Sequence, residues 1–308
     1  MALRKSGAMA APIARTGGLN RAKSDMWWGY FFILPQMVGL IAFSLIPLVT
    51  VFYLSATDWS GLGAKHFVGL SNYADQLQDP DFLTAIKNTV YYTAIVVPGG
   101  LICALVAALG LNRVRGKTVF RVIYFMPVVT SSVAVSIVWL FLLNSDFGLI
   151  NAYLHQWFGI KGPEWLNSGL VIPSISMMSI WWGLGFNMVI FLAGLQSISV
   201  SYYEAAQIDG ANKFQQFWAI TLPLLSPTTF FVLVMSIISS FQVFDQAFVM
   251  TGGGPAKASY TMVYHIYQLA FVNFTFGASA AAAVMLFVVI LIFTLCQMYL
   301  QRRWVYYG

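Results

Sequence analysis

Charge is what this chain has least of. Only 8% of its 308 residues are Asp, Glu, Lys or Arg, where a soluble domain carries about 25%. Acid is the scarcer sign, with ten Asp and Glu against 16 Lys and Arg and a net charge of +6. With 59% hydrophobic residues and a mean hydropathy of +0.76, the chain reads as an integral membrane protein. Cysteine is nearly absent too. Cys103 and Cys296 lie alone in apolar runs, which argues against a disulfide framework or a thiolate metal site and for two small packing residues. Three histidines, His66, His155 and His265, are scattered and predicted outside the membrane or at its interface. There is no glycine-lysine phosphate loop, no His/Cys/acid cluster and no nucleophile–base arrangement. The chain is therefore predicted to be non-catalytic, with no metal site and no cofactor of its own.

What the chain does have is long apolar runs. A membrane-spanning helix needs about 20 apolar residues. Charge-free windows of that kind predict six spans, at 27–53, 88–111, 122–143, 170–195, 222–244 and 277–300. Pro35, Pro47, Pro98, Pro127 and Pro173 fall in or at the ends of these windows and read as packing kinks, which membrane helices tolerate. Residues 26–57 carry no charge; the run is too long for a signal-peptide core and no small-residue cleavage site ends it, so it is read as an uncleaved first span.

The cations set the orientation. With the N-terminus inside, the cytoplasmic side receives Arg4, Lys5, Arg15, Arg21, Lys23, Arg113, Arg115, Lys117, Arg121, Lys213, Arg302 and Arg303, while Lys65, Lys87, Lys161 and Lys257 fall outside. Twelve against four is the bias expected of short loops. Both termini are then cytoplasmic, and the net positive charge is topological and needs no nucleic-acid partner. The predicted organisation is a loose cytoplasmic tail at 1–25, a first span with its extracytoplasmic loop at 26–84, a five-helix core at 85–302 containing a cytoplasmic loop at 199–222, and a cytoplasmic C-terminus at 303–308. The external segments 56–85, 144–169 and 251–276 suit either a face that receives a delivery protein or interfacial loops with an aromatic belt.

The loop at 199–222 is far longer than a chain reversal needs. Ser201-Tyr202-Tyr203-Glu204 has the form of a capping box, Ala205 and Ala206 favour helix, and Gly210 suits the left-handed residue that stops one. A second short helix is expected over 211–219, with Phe214, Phe217 and Trp218 on one side and Pro223 near the start of the next span. Physically this is either a docking surface for a soluble partner or an amphipathic segment lying on lipid headgroups.

Glu204-Ala205-Ala206, Gly210 and Ile220-Thr221-Leu222-Pro223, in that spacing and between spans four and five, closely resemble the signature loop of permease subunits of binding-protein-dependent ABC importers. Phe120-Arg121-Val122-Ile123-Tyr124-Phe125-Met126-Pro127, Phe147-Gly148-Leu149-Ile150-Asn151, Phe244-Asp245 and Thr251-Gly252-Gly253-Gly254-Pro255 extend the likeness over most of the chain. They are similar to the carbohydrate-uptake subfamily, the maltose- and glycerol-phosphate-type permeases, and to the first of its two paired permeases. The resemblance implies an all-α, six-span, type I (MetI-like) permease fold in a bacterial or archaeal cytoplasmic membrane. It implies three kinds of partner: a second permease, two cytoplasmic ATP-binding subunits that hold the ATP and magnesium, and an extracytoplasmic sugar-binding protein. It gives Glu204, Ala205, Ala206, Asp209, Gly210, Phe214, Leu222 and Pro223 the role of coupling to the ATPase.

A path for a polar solute must offer polar groups. The spans hold no lysine or arginine, and Asp245 is their only acid. That absence of cations favours a neutral sugar over glycerol phosphate. Ser236 and Ser240 share a face of span five, with Gln242 and Asp245 beyond them, and Ser179, Trp182, Gly183 and Phe186 recur at helical spacing in span four. In the subfamily the sugar lies between these two spans; ordinary helix packing would also place small and hydroxyl residues there. A secondary transporter would require buried coupling acids and internal repeats, and neither is seen.

Overall fold

The computed structural model describes residues 18–114 and 116–306. The predicted tail up to residue 17, Arg115 and the last two residues of the C-terminus lie outside the described residues. The helices are α1 Gly18–Leu40, α2 Ile46–Leu54, α3 Ser71–Gln78, α4 Pro80–Arg113, α5 Lys117–Val129, α6 Ser132–Leu142, α7 Leu149–Phe158, α8 Val171–Ser197, α9 Val200–Ile208, α10 Lys213–Gln216, α11 Leu222–Leu224, α12 Ser226–Phe241, α13 Asp245–Thr251, α14 Met262–Tyr267 and α15 Phe276–Trp304. Among the described residues the only β pairing is a single bridge between Thr57 and Phe67. The chain divides into two compact units, residues 1–50 and 51–308. In the first, helix already runs from Gly18, so the loose tail predicted to residue 25 is helical in its last part. Trp28, Phe31 and Phe32 pack ring to ring there.

Four helical segments are long and apolar enough to cross a membrane unbroken: Met26–Leu54, Pro80–Asn112, Val171–Ser197 and Phe276–Trp304. The expected third and fifth spans are broken. Lys117–Val129 meets Ser132–Leu142 at 95°, and Lys213–Leu224 meets Ser226–Phe241 at 63°. Proline accounts for both breaks, beyond the packing kinks expected from the sequence. Pro127 cannot donate to the carbonyl one turn back; α5 ends two residues later, with Thr130 extended at ψ 143°. Pro227 likewise leaves the Pro223 carbonyl without its helical donor, and the Ser226 hydroxyl takes that carbonyl at 2.6 Å. A π-turn at Phe217–Thr221 precedes Pro223, a local widening that absorbs the missing N–H.

In the second unit α4 and α8 form the axis. Ala104 and Ala108 of α4 are fully buried in a cluster with Met188, Phe191 and Leu192 of α8 and Leu225 and Val232. A second cluster joins Tyr92, Ile175, Met178, Val243 and Met250. Small residues set the closest approaches, as membrane interfaces require: a Cβ at Gly185 of α8 would collide with the Tyr124 carbonyl of α5. Cys103 and Cys296 are exposed on their helices and do not pack inside the chain as expected.

Helix α4 starts at Pro80, where the Asp79 carboxylate accepts from the Asp81 N–H at 2.8 Å, eight residues before the span predicted from residue 88. Its 34 residues exceed a hydrocarbon core of about 30 Å at about 1.5 Å per residue, so it projects into the outer segments. Those segments are ordered by side chains. Asn88 Nδ2 donates to the Lys257 and Tyr260 carbonyls at 2.9 and 3.0 Å, and the Thr89 hydroxyl accepts from the Met262 N–H at 3.0 Å. His265 Nε2 lies 2.7 Å from Gln76 Oε1.

Candidate functional site

Two places in the second unit gather the residues singled out from the sequence: the loop at 199–222 and a cavity among α4, α8, α12 and α13.

In the loop, α9 is capped by Ser199, whose side chain accepts from the Ser201 N–H at 3.4 Å. The predicted box between Ser201 and Glu204 does not form. Either serine can cap, and the earlier one, following the end of α8 directly, adds Val200 and Ser201 to the helix. The reciprocal box sits further on: Gln215 N–H donates to Asn212 Oδ1 at 2.9 Å and Asn212 N–H to Gln215 Oε1 at 2.8 Å. Glu204 is thereby left exposed, with no side-chain hydrogen bond among the described residues.

Helix α9 ends as predicted, at Gly210 in the left-handed region with φ +78°. The Ala211 N–H donates to the Ala206 carbonyl at 2.8 Å and the Gly210 N–H to the Gln207 carbonyl at 3.1 Å, the paired bonds of a Schellman stop. Nothing lies within 4 Å of a Cβ at Gly210, so the demand for glycine is conformational. The second helix runs on past the predicted end at 219 as α10, the π-turn and α11, and Pro223 sits in its last turn; Pro227 opens the next span. Tyr203 and Thr221 join the two arms through their hydroxyls, 3.0 Å apart.

Around Gly210 the surface is apolar. Ile208 is 87% exposed, Phe214 72% and Trp218 55%, with the Phe214 and Trp218 rings 6.1 Å apart. Ala205, Asp209 and Pro223 are exposed, and Ala206 and Leu222 half-buried. Ile208 was not singled out from the sequence; its signal was a branched apolar residue placed just before a helix stop.

The cavity holds about 460 Å³ and is lined by all eight residues predicted for a substrate path: Ser179, Trp182, Gly183, Phe186, Ser236, Ser240, Gln242 and Asp245. The Ser179 and Ser240 hydroxyls donate to their own helices, at the Ile175 and Ile237 carbonyls. Trp182 Nε1 donates to the Thr130 carbonyl at 3.2 Å, at the break between α5 and α6. The Asp245 carboxylate is half-buried and accepts from the Ser132 hydroxyl on the far side of that break. Tyr92, Ser132, Asn187 and Gln246 also line it and were missed; Asn187 is four residues beyond Gly183, so the same helical spacing would have found it. No lysine, arginine or histidine is in the lining.

Residues 97–306 match the family described as "Binding-protein-dependent transport system inner membrane component". The sn-glycerol-3-phosphate transport system permease protein UgpA of Agrobacterium fabrum is 34% identical over 282 residues, covering 91% of this chain and 96% of that protein. The multiple sugar-binding transport system permease protein MsmF of Streptococcus mutans is 32% identical over 281 residues, covering 91% and 97%. A chain in the crystal structure of a bacterial ABC transporter involved in the import of the acidic polysaccharide alginate superposes with a TM-score of 0.81 at 25% identity, covering 92% of this chain and 98% of that one. The match spans the loop at 199–222, both broken spans and most of the cavity, and the chain belongs to the family of inner-membrane components of binding-protein-dependent transport systems.

Proposed function

We propose that this permease carries a sugar or oligosaccharide, handed to it outside the membrane by a binding protein, through the cavity between α8 and α12. The observation that carries the reading is the convergence of the eight predicted path residues on one cavity of about 460 Å³, within the range of small-molecule sites. Hydroxyls and amides suit sugar hydroxyls, and the rings of Trp182 and Phe186 suit a sugar's C–H face. One carboxylate and no cation in the lining favour a neutral solute. Similarity to permeases named for glycerol-3-phosphate keeps that ester as the second reading.

The nucleotide chemistry belongs to partners. Two cytoplasmic ATPase subunits hold ATP and magnesium and close on the loop at 199–222, with Glu204, Asp209, Gly210 and Phe214 at the docking surface. A second permease completes the path. Both termini lie in the cytoplasm, a reading that the distribution of cations supports. The exposed, unbonded Glu204 and the apolar ring of Ile208, Phe214 and Trp218 support the docking role.

The test is substrate-stimulated ATPase activity and uptake in the reconstituted complex. Uptake by Ser240→Leu and Asp245→Ala should fall at least about tenfold with assembly intact, the scale of one lost buried polar contact. Unchanged kinetics in both would remove the path. Stimulation by glycerol-3-phosphate and by no neutral sugar would decide for the second reading. Full uptake with Gly210→Trp would count against the coupling role.

A further inference from the structure

We infer that Asp245 is a positioning residue: with Ser132 it latches two helix breaks together beside the cavity, and a solute in the cavity competes for that latch. The inference rests on the solute path proposed above and names how its occupation is sensed. Ser132 is the first residue of α6 and Asp245 the first of α13. Each follows a break. Thr130 and Ser131 are extended between α5 and α6, at ψ 143° and 135°, and residues 242–244 separate α12 from α13. The hydrogen bond from the Ser132 hydroxyl to the Asp245 carboxylate therefore joins one break to the other, and α6 packs on α13 beyond it.

Two further bonds hold these breaks from other sides. Trp182 Nε1 of α8 donates to the Thr130 carbonyl at 3.2 Å. The Thr261 hydroxyl, from the outer segments, donates to the Val243 carbonyl at 2.9 Å. The Thr261 bond is buried and out of a solute's reach. Ser132, Asp245 and Trp182 are half-buried and line the cavity. By contrast, the Ser179 and Ser240 hydroxyls donate within their own helices, so their loss shifts no helix against another.

The chemistry of the latch makes it open to competition. Ser132 is the only side-chain or backbone donor to the Asp245 carboxylate among the described residues. A carboxylate accepts more than one hydrogen bond, and the bonds it accepts are charge-assisted and strong. A sugar hydroxyl donating to Asp245 takes the place of Ser132, and one accepting from Trp182 Nε1 takes the place of the Thr130 carbonyl. Such coupling is reciprocal: a solute that frees the α5–α6 corner is also favoured wherever the corner is already free. On the proposed docking role, the freed corner belongs to the arrangement in which the ATPases close, so losing the latch imitates the solute.

ATP hydrolysis by the reconstituted complex, measured with no sugar present, tests this. Ser132→Ala should raise that basal rate about tenfold, the scale of one hydrogen bond to a charged group. It should also shrink whatever stimulation glucose, maltose or raffinose gives the wild type. Ser132→Thr keeps the hydroxyl and should hydrolyse as the wild type does. Trp182→Phe keeps a ring and removes the second tie; it should act in the same direction by about fivefold, and it carries the test if Ser132→Ala fails to assemble. A basal rate unchanged or lowered in Ser132→Ala and Trp182→Phe would overturn the inference. So would equal effects of Ser132→Ala and Ser132→Thr, which would make position 132 a matter of packing. Failure of every neutral sugar to stimulate would remove the sugar reading and leave the basal comparison standing.

Discussion

The hydroxyls of Tyr203 and Thr221 lie 3.0 Å apart and join the two arms of the loop at 199–222. Tyr203 rides on α9 and Thr221 on the π-turn that leads into α11, so on the proposed docking role a force applied at Gly210 would reach the broken fifth span through both arms together. Tyr203→Phe and Thr221→Val should each weaken this link by about 1 kcal/mol and lower the sugar transported per ATP hydrolysed. Thr221 also donates weakly to the Gln216 carbonyl at 3.4 Å, so the double variant is the deciding measurement. It should be no worse than the poorer single variant; additive losses would show that the two hydroxyls act separately.

Gly210 supplies a second, sharper test, because its φ of +78° and the open space around it separate conformation from bulk. Asparagine tolerates the left-handed region and valine does not, at a cost of about 1–2 kcal/mol. Gly210→Asn should couple nearly as the wild type does, and Gly210→Val should hydrolyse ATP with little uptake. Equal behaviour of the two variants in proteoliposomes would mean that the Schellman stop is not what the loop needs.

Gly185 is governed by space. A methyl group there meets the Tyr124 carbonyl and the Phe125 Cα, both backbone, so nothing nearby yields by rotating. Gly185→Val should destabilise the packing of α5 on α8 by about 1–3 kcal/mol, seen as a lower melting temperature of the purified complex. The adjacent exposed change Phe186→Leu should leave the melting temperature unmoved while altering uptake.

His265 should make the outer segments sensitive to acid. It is buried to 1% exposure beside Gln76, Tyr260 and Phe82. Burial lowers its pKa most strongly; Lys257 acts in the same direction, and Asp79 and Asp81 oppose it. The unfolded chain therefore takes up a proton near pH 6.5, where the folded chain does not. Stability contributed by the neutral imidazole is complete above that pH and is lost as pH falls toward the lowered folded value. Thermal unfolding should be flat from pH 8 to about 7 and fall below about 6.5. In His265→Gln that acid limb should shrink, and an unchanged limb would place the sensitivity elsewhere.

The sequence was most legible where chemistry is constrained by spacing. Glu204, Gly210 and Pro223 read as a loop that stops a helix on a left-handed glycine, and the stop is where expected. The eight cavity residues were reached by helical spacing, by the lone acid Asp245 and by the subfamily resemblance that points to spans four and five, and they line one cavity. What could not be read was competition between equivalent local solutions. Ser199 and Ser201 are both good caps, and only the end of α8 decides between them. Pro127 reads as a tolerable kink and Pro227 was not singled out, yet a bend of 95° or 63° depends on whether neighbouring helices supply a place for the displaced half. Ser132 escaped notice because its role comes from Asp245, more than a hundred residues away.

The charge inventory of the cavity has an electrical side. Its lining holds one carboxylate and no cationic side chain, and a neutral sugar brings no charge with it. A charge carried across the bilayer would exchange about 2.3 kcal/mol with every 100 mV of membrane potential; a neutral solute on this route exchanges none. Voltage then neither drives nor opposes uptake, and on the docking role proposed for the loop at 199–222 the work of concentrating the sugar would enter mechanically, through α9 and α10.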